Sequence, residues 1–326
     1  MANDNSKTSE TTPGSVYIDD EFTAKHRADA ERGDPDAQYA LGHACFTNFD
    51  MDELANATEA LKWLRKAAEQ GHTNSQHDLG LWYERGNLYG VSISSVSRDE
   101  QDDSIAAKWF RKAAEQGHQE SQFAIGLKHQ EGRGVSQDDK EAAAWILKAA
   151  ESTNGAHVAF AQVHLGWMYQ VGTGVPKNMV EAANWFRKAA EQGEPNAQYE
   201  LGLMYSRGTG VPKDETQKAA WFRQAAEQWH PDAQYYLGTM YHKGAGGLPK
   251  NEREEIAWYL KAAEACHPYA EFALGLKYES GHGVPQDKAE AIRWFRLAAE
   301  HGEEMAPEKL RELGAEDPHS PDELKE

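Results

Sequence analysis

AQYELGLMYSRGTGVP, residues 197–212, decides how the rest of the chain is read. Its Gly208-x-Gly210 pair could be a loop that wraps a phosphate with backbone N–H groups. Related words recur, however: GRGVSQD from Gly132, GTGVPKN from Gly172, GTGVPKD from Gly208, GAGGLPKN from Gly244 and GHGVPQD from Gly281. None extends to GxGxxG or GxxxxGK[ST], the patterns with a phosphate-binding mechanism behind them. One ligand needs one cradle, so a word repeated along the chain marks a structural period.

A second word keeps step with the first. It reads WLRKAAEQG from Trp63, WFRKAAEQG from Trp109, WILKAAES from Trp145 and WFRKAAEQG from Trp185, then WFRQAAEQW from Trp221, WYLKAAEAC from Trp258 and WFRLAAEHG from Trp294. A third, Ala-x-x-x-Leu-Gly or a variant of it, sets a glycine at Gly42, Gly80, Gly126, Gly166, Gly202, Gly238 and Gly275. Seven units of about 36 residues result, with one insertion at 86–104 and a shorter one near 152–157.

Each unit reads as two antiparallel helices. In 195–207 the residues Ala197, Leu201, Met204 and Tyr205 share one face of a 3.6-residue period, and in 216–228 Ala219, Phe222, Ala225 and Ala226 do the same. Gly-x-Gly-Val-Pro separates them: glycine closes the first helix at left-handed dihedrals, and proline cannot continue it. The glycine of Leu-Gly sits inside a helix at a cost of roughly 1 kcal/mol against alanine. Its repetition predicts close approach of a neighbouring helix, with Trp or Ala-Ala filling the opposing surface. A helix pair of this size cannot bury its apolar face alone, so stacking must supply the core.

The predicted layout has acidic, disordered tails at 1–20 and 315–326, an N-terminal half-repeat at 21–35, seven repeats over 36–302, and a cap helix at 303–314. At the start, ADAERG (28–33) matches the end of a second helix. At the end, Arg311 stands where the Leu-Gly glycine would, as expected of a wet outer face.

This organisation closely resembles the Sel1-like repeat family, a relative of the tetratricopeptide repeats, through the words at Ala197–Pro212 and around Trp185 and Trp221. The resemblance covers roughly residues 25–314. It implies a right-handed α-solenoid serving as a bacterial protein-binding scaffold or adaptor. Departures are Trp229 and Cys266 in place of the turn glycine, and loss of Gly-x-Gly-Val in the first two repeats.

Charge and composition narrow the functions. Of a net charge of −19, residues 1–21 carry −4 and 300–326 carry −7, leaving −8 on the repeats. No basic stripe compensates, so nucleic acid is not an expected partner. No apolar stretch reaches the length of a membrane span, and MANDNSKTSE lacks the marks of a secretory signal. Cytoplasmic residence is therefore expected, with leaderless export as the alternative. The two cysteines, Cys45 and Cys266, lie too far apart in a stack to pair, which agrees with a reducing compartment. The chain is expected to be a monomer or a weak self-associate.

Chemistry leaves little trace. His72, His118, His230 and His267 occupy one repeat position, each in a different unit, so neighbouring copies lie roughly 18–20 Å apart. A zinc site needs its ligands near 2 Å from one point. HExxH, CxxC and GxSxG are absent. No catalytic residue, metal or cofactor is assigned.

A partner surface is sought where repeats differ. Residues two before and two after the Leu-Gly glycine share a helix face. Among them His164, Met168, Met204, Tyr236 and Met240 would form a semi-apolar strip, with Trp82 at the same position in repeat two and Lys128 and Lys277 as flanks. By the resemblance this strip lines a concave surface that takes a protein or peptide. The competing role for the methionines is packing on a neighbouring helix. Trp229 is either an exposed anchor or filler for an altered turn, and the 86–104 insertion is a further candidate. The function expected is a non-catalytic scaffold. The alternatives are an inhibitor or immunity-type protein that sequesters a toxic enzyme and, last, an enzyme with a site assembled between repeats.

Overall fold

The computed structural model describes residues 20–47, 53–85, 87–88, 91–92, 102–152 and 157–315. The predicted tails lie almost wholly outside these residues, as does most of the 86–104 insertion. Of that insertion, Asn87–Leu88 (β1) and Val91–Ser92 (β2) pair as a small antiparallel hairpin; the other regular elements among the described residues are helices.

The fold is the expected seven helix-turn-helix repeats, in two compact units divided between Asp138 and Asp139. The first unit holds α1 (Asp20–Glu31), α2 (Pro35–Thr47), α3 (Glu53–Glu69), α4 (Thr73–Arg85), α5 (Asp103–Glu115) and α6 (Gln119–Glu131). The second holds α7 (Asp139–Ala150), α8 (Val158–Val171), α9 (Met179–Glu191), α10 (Pro195–Arg207), α11 (Glu215–Glu227), α12 (Pro231–Lys243), α13 (Glu252–Glu264), α14 (Pro268–Ser280), α15 (Lys288–Glu300) and α16 (Ala306–Glu312). Even-numbered helices from α2 to α14 are first helices and odd-numbered ones from α3 to α15 are second helices. Helices α1 and α16 are half-repeats at the two ends.

Local chemistry sets the boundaries. Asp102, Asn178, Asp214, Asn251 and Asp287 each cap a second helix by accepting two backbone N–H groups of its first turn. First helices end on left-handed glycines such as Gly208, whose φ is 69°. The second glycine of that turn, Gly210, is needed for a different reason: a Cβ there would fall on the carbonyl oxygen of Met179, in the first turn of the preceding second helix. The Gly-x-Gly word is thus a seam between consecutive repeats.

The Leu-Gly glycine does mark a close approach, but tryptophan and Ala-Ala are not what fills it. The residue after the tryptophan does. A Cβ on Gly202 would lie 2.5 Å from Phe222 Cδ1, and Gly80, Gly166, Gly238 and Gly275 meet Phe110, Phe186, Tyr259 and Phe295 in the same way. Those rings are among the most buried side chains in the protein. The tryptophan packs instead where its repeat meets the preceding one, as Trp258 does with Ala226, Ala233 and Leu237. In five repeats a lysine three residues on lies over its ring, as Lys188 does over Trp185 at 3.6 Å from the centroid.

Buried glutamines stitch the repeats together. Gln198 Nε2 donates to the Ala190 carbonyl at the end of the preceding second helix, and Gln228 Nε2 donates to Gln198 Oε1 within the same repeat. The same pair of bonds joins Gln38 with Gln70, Gln76 with Gln116, and Gln162 with Gln192. Two late repeats depart from it. Ala265 stands where the second glutamine would, leaving Gln234 Oε1 buried without a partner, and Glu271 with His301 replaces the pair at the end.

Gly202→Ala is expected to destabilise the protein by about 1–3 kcal/mol through overpacking, although alanine is the better helix former by roughly 1 kcal/mol. Adding Phe222→Leu should return part of the loss. Urea unfolding of the two single variants and the double variant measures this coupling. A Gly202→Ala protein as stable as its parent would show that the ring does not need the space.

Candidate protein-binding face

A first helix is covered on two sides. Helix α10 packs on α11 through Gly202 and on α9 through the residues opposite. Side chains advance about 100° per residue, so the position two after the glycine points nearly away from it, toward the preceding second helix, while the position two before lies about 40° round from that, at the edge of the contact. That side is covered. What stays open is a stripe between the two contacts, made by positions six and two before the glycine and one and five after it.

The predicted strip therefore divides. Met168, Met204 and Met240 are buried, and Trp82 is buried in a cluster with Leu64 and Leu79. The methionine ends lie beneath the turn glycines: a Cβ on Gly210 would meet Met204 Cε at 2.9 Å, and one on Gly246 would meet Met240 Cε at 2.6 Å. The competing role of the methionines, packing on a neighbouring helix, is the one observed. Lys128 is buried as well, its ammonium bonded to Asp103 and 2.9 Å from Glu84 Oε1. Lys277 follows the same plan with Glu255 Oε1 at 2.6 Å. Buried ammonium groups require such partners. In this arrangement none of these is a contact surface, except for what Lys277 leaves half-buried.

His164 and Tyr236 are half-buried, on the open stripe. Tyr236 stacks on Phe222 at 5.3 Å between ring centroids, and His164 meets Trp167 edge-on at 6.3 Å. Trp229 is 67 % exposed with φ at 66°, and Cys266, the other residue in place of the turn glycine, has φ 57° and an exposed free thiol.

Sequence reasoning missed the residues that the stripe does expose. In the second unit these are Phe160 and Tyr269 six before the glycine, Trp167 and Leu276 one after it, and Val171 five after it. The signal that could have found them is the glycine itself, which fixes one covered direction, together with the need for a stacked helix to be covered on a second.

The histidines that follow the turns have a definite task. Nδ1 of His72, His118, His230 and His267 accepts the backbone N–H of Ser75, Ser121, Ala233 and Ala270, at 3.2–3.3 Å, so each ring caps a first helix. Glu194 does the same for α10. An accepting Nδ1 puts the ring proton on Nε2, which faces Asp36 at 3.3 Å in His72 and Asp232 at 3.4 Å in His267. Burial lowers the pKa of His72, His118 and His230 below the ordinary value, against the opposing pull of Asp36, Glu120 and Asp232 respectively. Among the described residues no three of His, Cys, Asp and Glu are placed to hold a metal ion, and no helix is long and apolar enough to cross a membrane.

A family profile for the Sel1 repeat matches residues 35–72, 73–118, 119–154, 159–194, 195–228, 231–265 and 268–303. A solved structure of a protective antigen present in uropathogenic Escherichia coli strains, described as displaying an SLR fold, is 32% identical with a TM-score of 0.79. The similarity covers 91% of this chain but 61% of that one, so this chain spans about three fifths of its length. A Sel1 repeat protein from Oxalobacter formigenes is 29% identical with a TM-score of 0.63, over 80% of this chain and 96% of the other. No curated protein matches the chain.

The histidine caps make stability depend on pH. The folded pKa values of His72, His118 and His230 lie below the unfolded value near 6.5, so these caps contribute fully above that pH and are lost as pH falls through the folded values. Urea unfolding between pH 5 and 8 should show stability level at the alkaline end and declining below about 6.5. His118→Asn with His230→Asn, which keeps capping without titrating, should flatten that decline. An unchanged slope in the double variant would remove the histidines as its cause.

Proposed function

The chain belongs to the Sel1 repeat family, and from that premise we propose that it is a non-catalytic scaffold that holds a protein or peptide on the open stripe of its first helices. One observation carries the reading: Phe160, Trp167, Tyr269 and Leu276 are large apolar side chains that repeat-to-repeat packing leaves exposed. Such residues, at the same positions of α8 and α14, suit separate shallow contacts along a partner segment. Cytoplasmic residence in a bacterium is part of the proposal, and the exposed thiol of Cys266 fits a reducing compartment.

His164 and Tyr236 stay in the proposed face because they lie on the stripe. Trp229 is proposed as a second anchor, at the turn between α11 and α12. A tryptophan held at positive φ costs roughly 1 kcal/mol or more, and two thirds of its surface is open to solvent. Packing within the free protein does not offset that cost; contact with a partner would.

Affinity capture from the native cell tests the reading. Trp167→Asp combined with Leu276→Asp should reduce partner recovery at least about ten-fold, since apolar anchors contribute 1–2 kcal/mol or more each, with the helical circular dichroism unchanged. Met204→Leu, a change in the interior, should leave recovery as it was. Undiminished recovery by the double aspartate variant would end the proposal. Trp229→Gly should raise stability by about 1 kcal/mol while weakening capture; retained capture would remove Trp229 from the face.

A further inference from the structure

Helix α8 differs from its equivalents. Its open stripe reads Phe160, His164, Trp167 and Val171 at i, i+4, i+7 and i+11, a single face of one helix. Phe160 is 50 % exposed, Trp167 39 % and Val171 71 %. The same positions of α10 carry Asn196, Glu200, Leu203 and Arg207. The aromatic stripe thus borders a helix that offers a carboxylate.

The two meet at one point. Trp167 Nε1 donates to Glu200 Oε1 at 3.1 Å. That bond fixes the indole with part of its surface open and brings a carboxylate to its edge. Among the described residues Glu200 forms no ion pair, unlike Asp232 on the next first helix, which faces His267. A half-buried carboxylate left without a cation, beside an exposed indole, is an incomplete arrangement within a chain of net charge −19.

Resting on the scaffold reading above, we propose that the Trp167–Glu200 step is an arginine-accepting subsite, and that the partner is a protein segment carrying an arginine flanked by apolar side chains. A guanidinium is planar, so it can lie over the indole face while its N–H groups reach the free lone pairs of Glu200. Adjacent apolar side chains of the same segment then cover Phe160 and Val171. A lysine satisfies the charge but not the plane, and a glutamate meets Glu200 with repulsion. Uncharged apolar segments leave Glu200 desolvated and unpaired, which disfavours them. The subsite therefore selects as well as binds.

The test uses the full chain labelled with ¹⁵N and two probe peptides, acetyl-Leu-Arg-Leu-amide and acetyl-Leu-Gln-Leu-amide. The indole N–H signal of Trp167 is assigned by its loss in Trp167→Phe. The arginine peptide should move that signal saturably, with an affinity about five-fold or more above the glutamine peptide, the size expected of a cation–π contact combined with one charge pair. Glu200→Gln keeps an acceptor for the indole; it should erase the preference while leaving the spectrum otherwise in place. Equal affinity for the two peptides, no movement of the Trp167 signal, or a preference that survives Glu200→Gln would each overturn the subsite. These outcomes are separable from failure of the scaffold reading, which is judged by capture with the aspartate variants and does not depend on arginine.

Discussion

The contact between a bare stretch of helix backbone and an aromatic ring is what the architecture depends on. At Gly202, and at Gly80, Gly166, Gly238 and Gly275, the first helix has no side chain, so the Phe222-type ring of the second helix lies against the peptide groups themselves. This brings the two helices of a repeat close enough to act as one slab, with Ala-rich surfaces on either side. Such a slab is unstable alone, because its flanks are apolar; it becomes stable when another covers it. Most large side chains are consumed in that covering, and the surface left for recognition is correspondingly narrow.

The interior tolerates variety provided each slot is completed. Two residues after the glycine, Met204 and Met240 lie under the turn of their own repeat, whereas Lys128 reaches Asp103 and Glu84, and Lys277 reaches Glu255. A flexible thioether and a paired ammonium fill comparable space by different physics, one through dispersion and the other through charge. Asp103 is further held by Arg133. Burial works against its charge, but the two cations outweigh this and keep its carboxyl below the ordinary range. Variation between repeats at a buried slot therefore records alternative ways to pack, not a recognition code.

That distinction marks what was legible beforehand. Helix count, turn positions, capping glycines and the half-repeats at the ends follow from periodic words in the sequence, because each is set by local dihedral and capping preferences. The placement of Met168, Met204 and Met240 does not follow, since the helical period says which residues share a face but not which neighbour covers it. Trp167 was passed over for the same reason, one residue away from the chosen strip. The glutamine bonds were hidden differently: Gln198 and Gln228 stand in obvious repeated words, yet only the antiparallel pairing of α10 with α11 brings them together. For Trp229, the sequence carried both the left-handed turn and the strain, and the structure adds its exposure.

The buried glutamine bonds behave like the teeth of a zip: the carbonyl bonds fasten a repeat to the one before it, and the glutamine–glutamine bonds fasten the two helices of a repeat to each other. At Ala265 a tooth is missing, and an amide oxygen left dry in an interior costs roughly 1–3 kcal/mol. In a nearly one-dimensional array such a deficit is not shared out but stays local. Loosening at this point therefore separates α13 from α12 inside a single repeat, while the Gln234 amide still holds that repeat to the Ala226 carbonyl of the one before it.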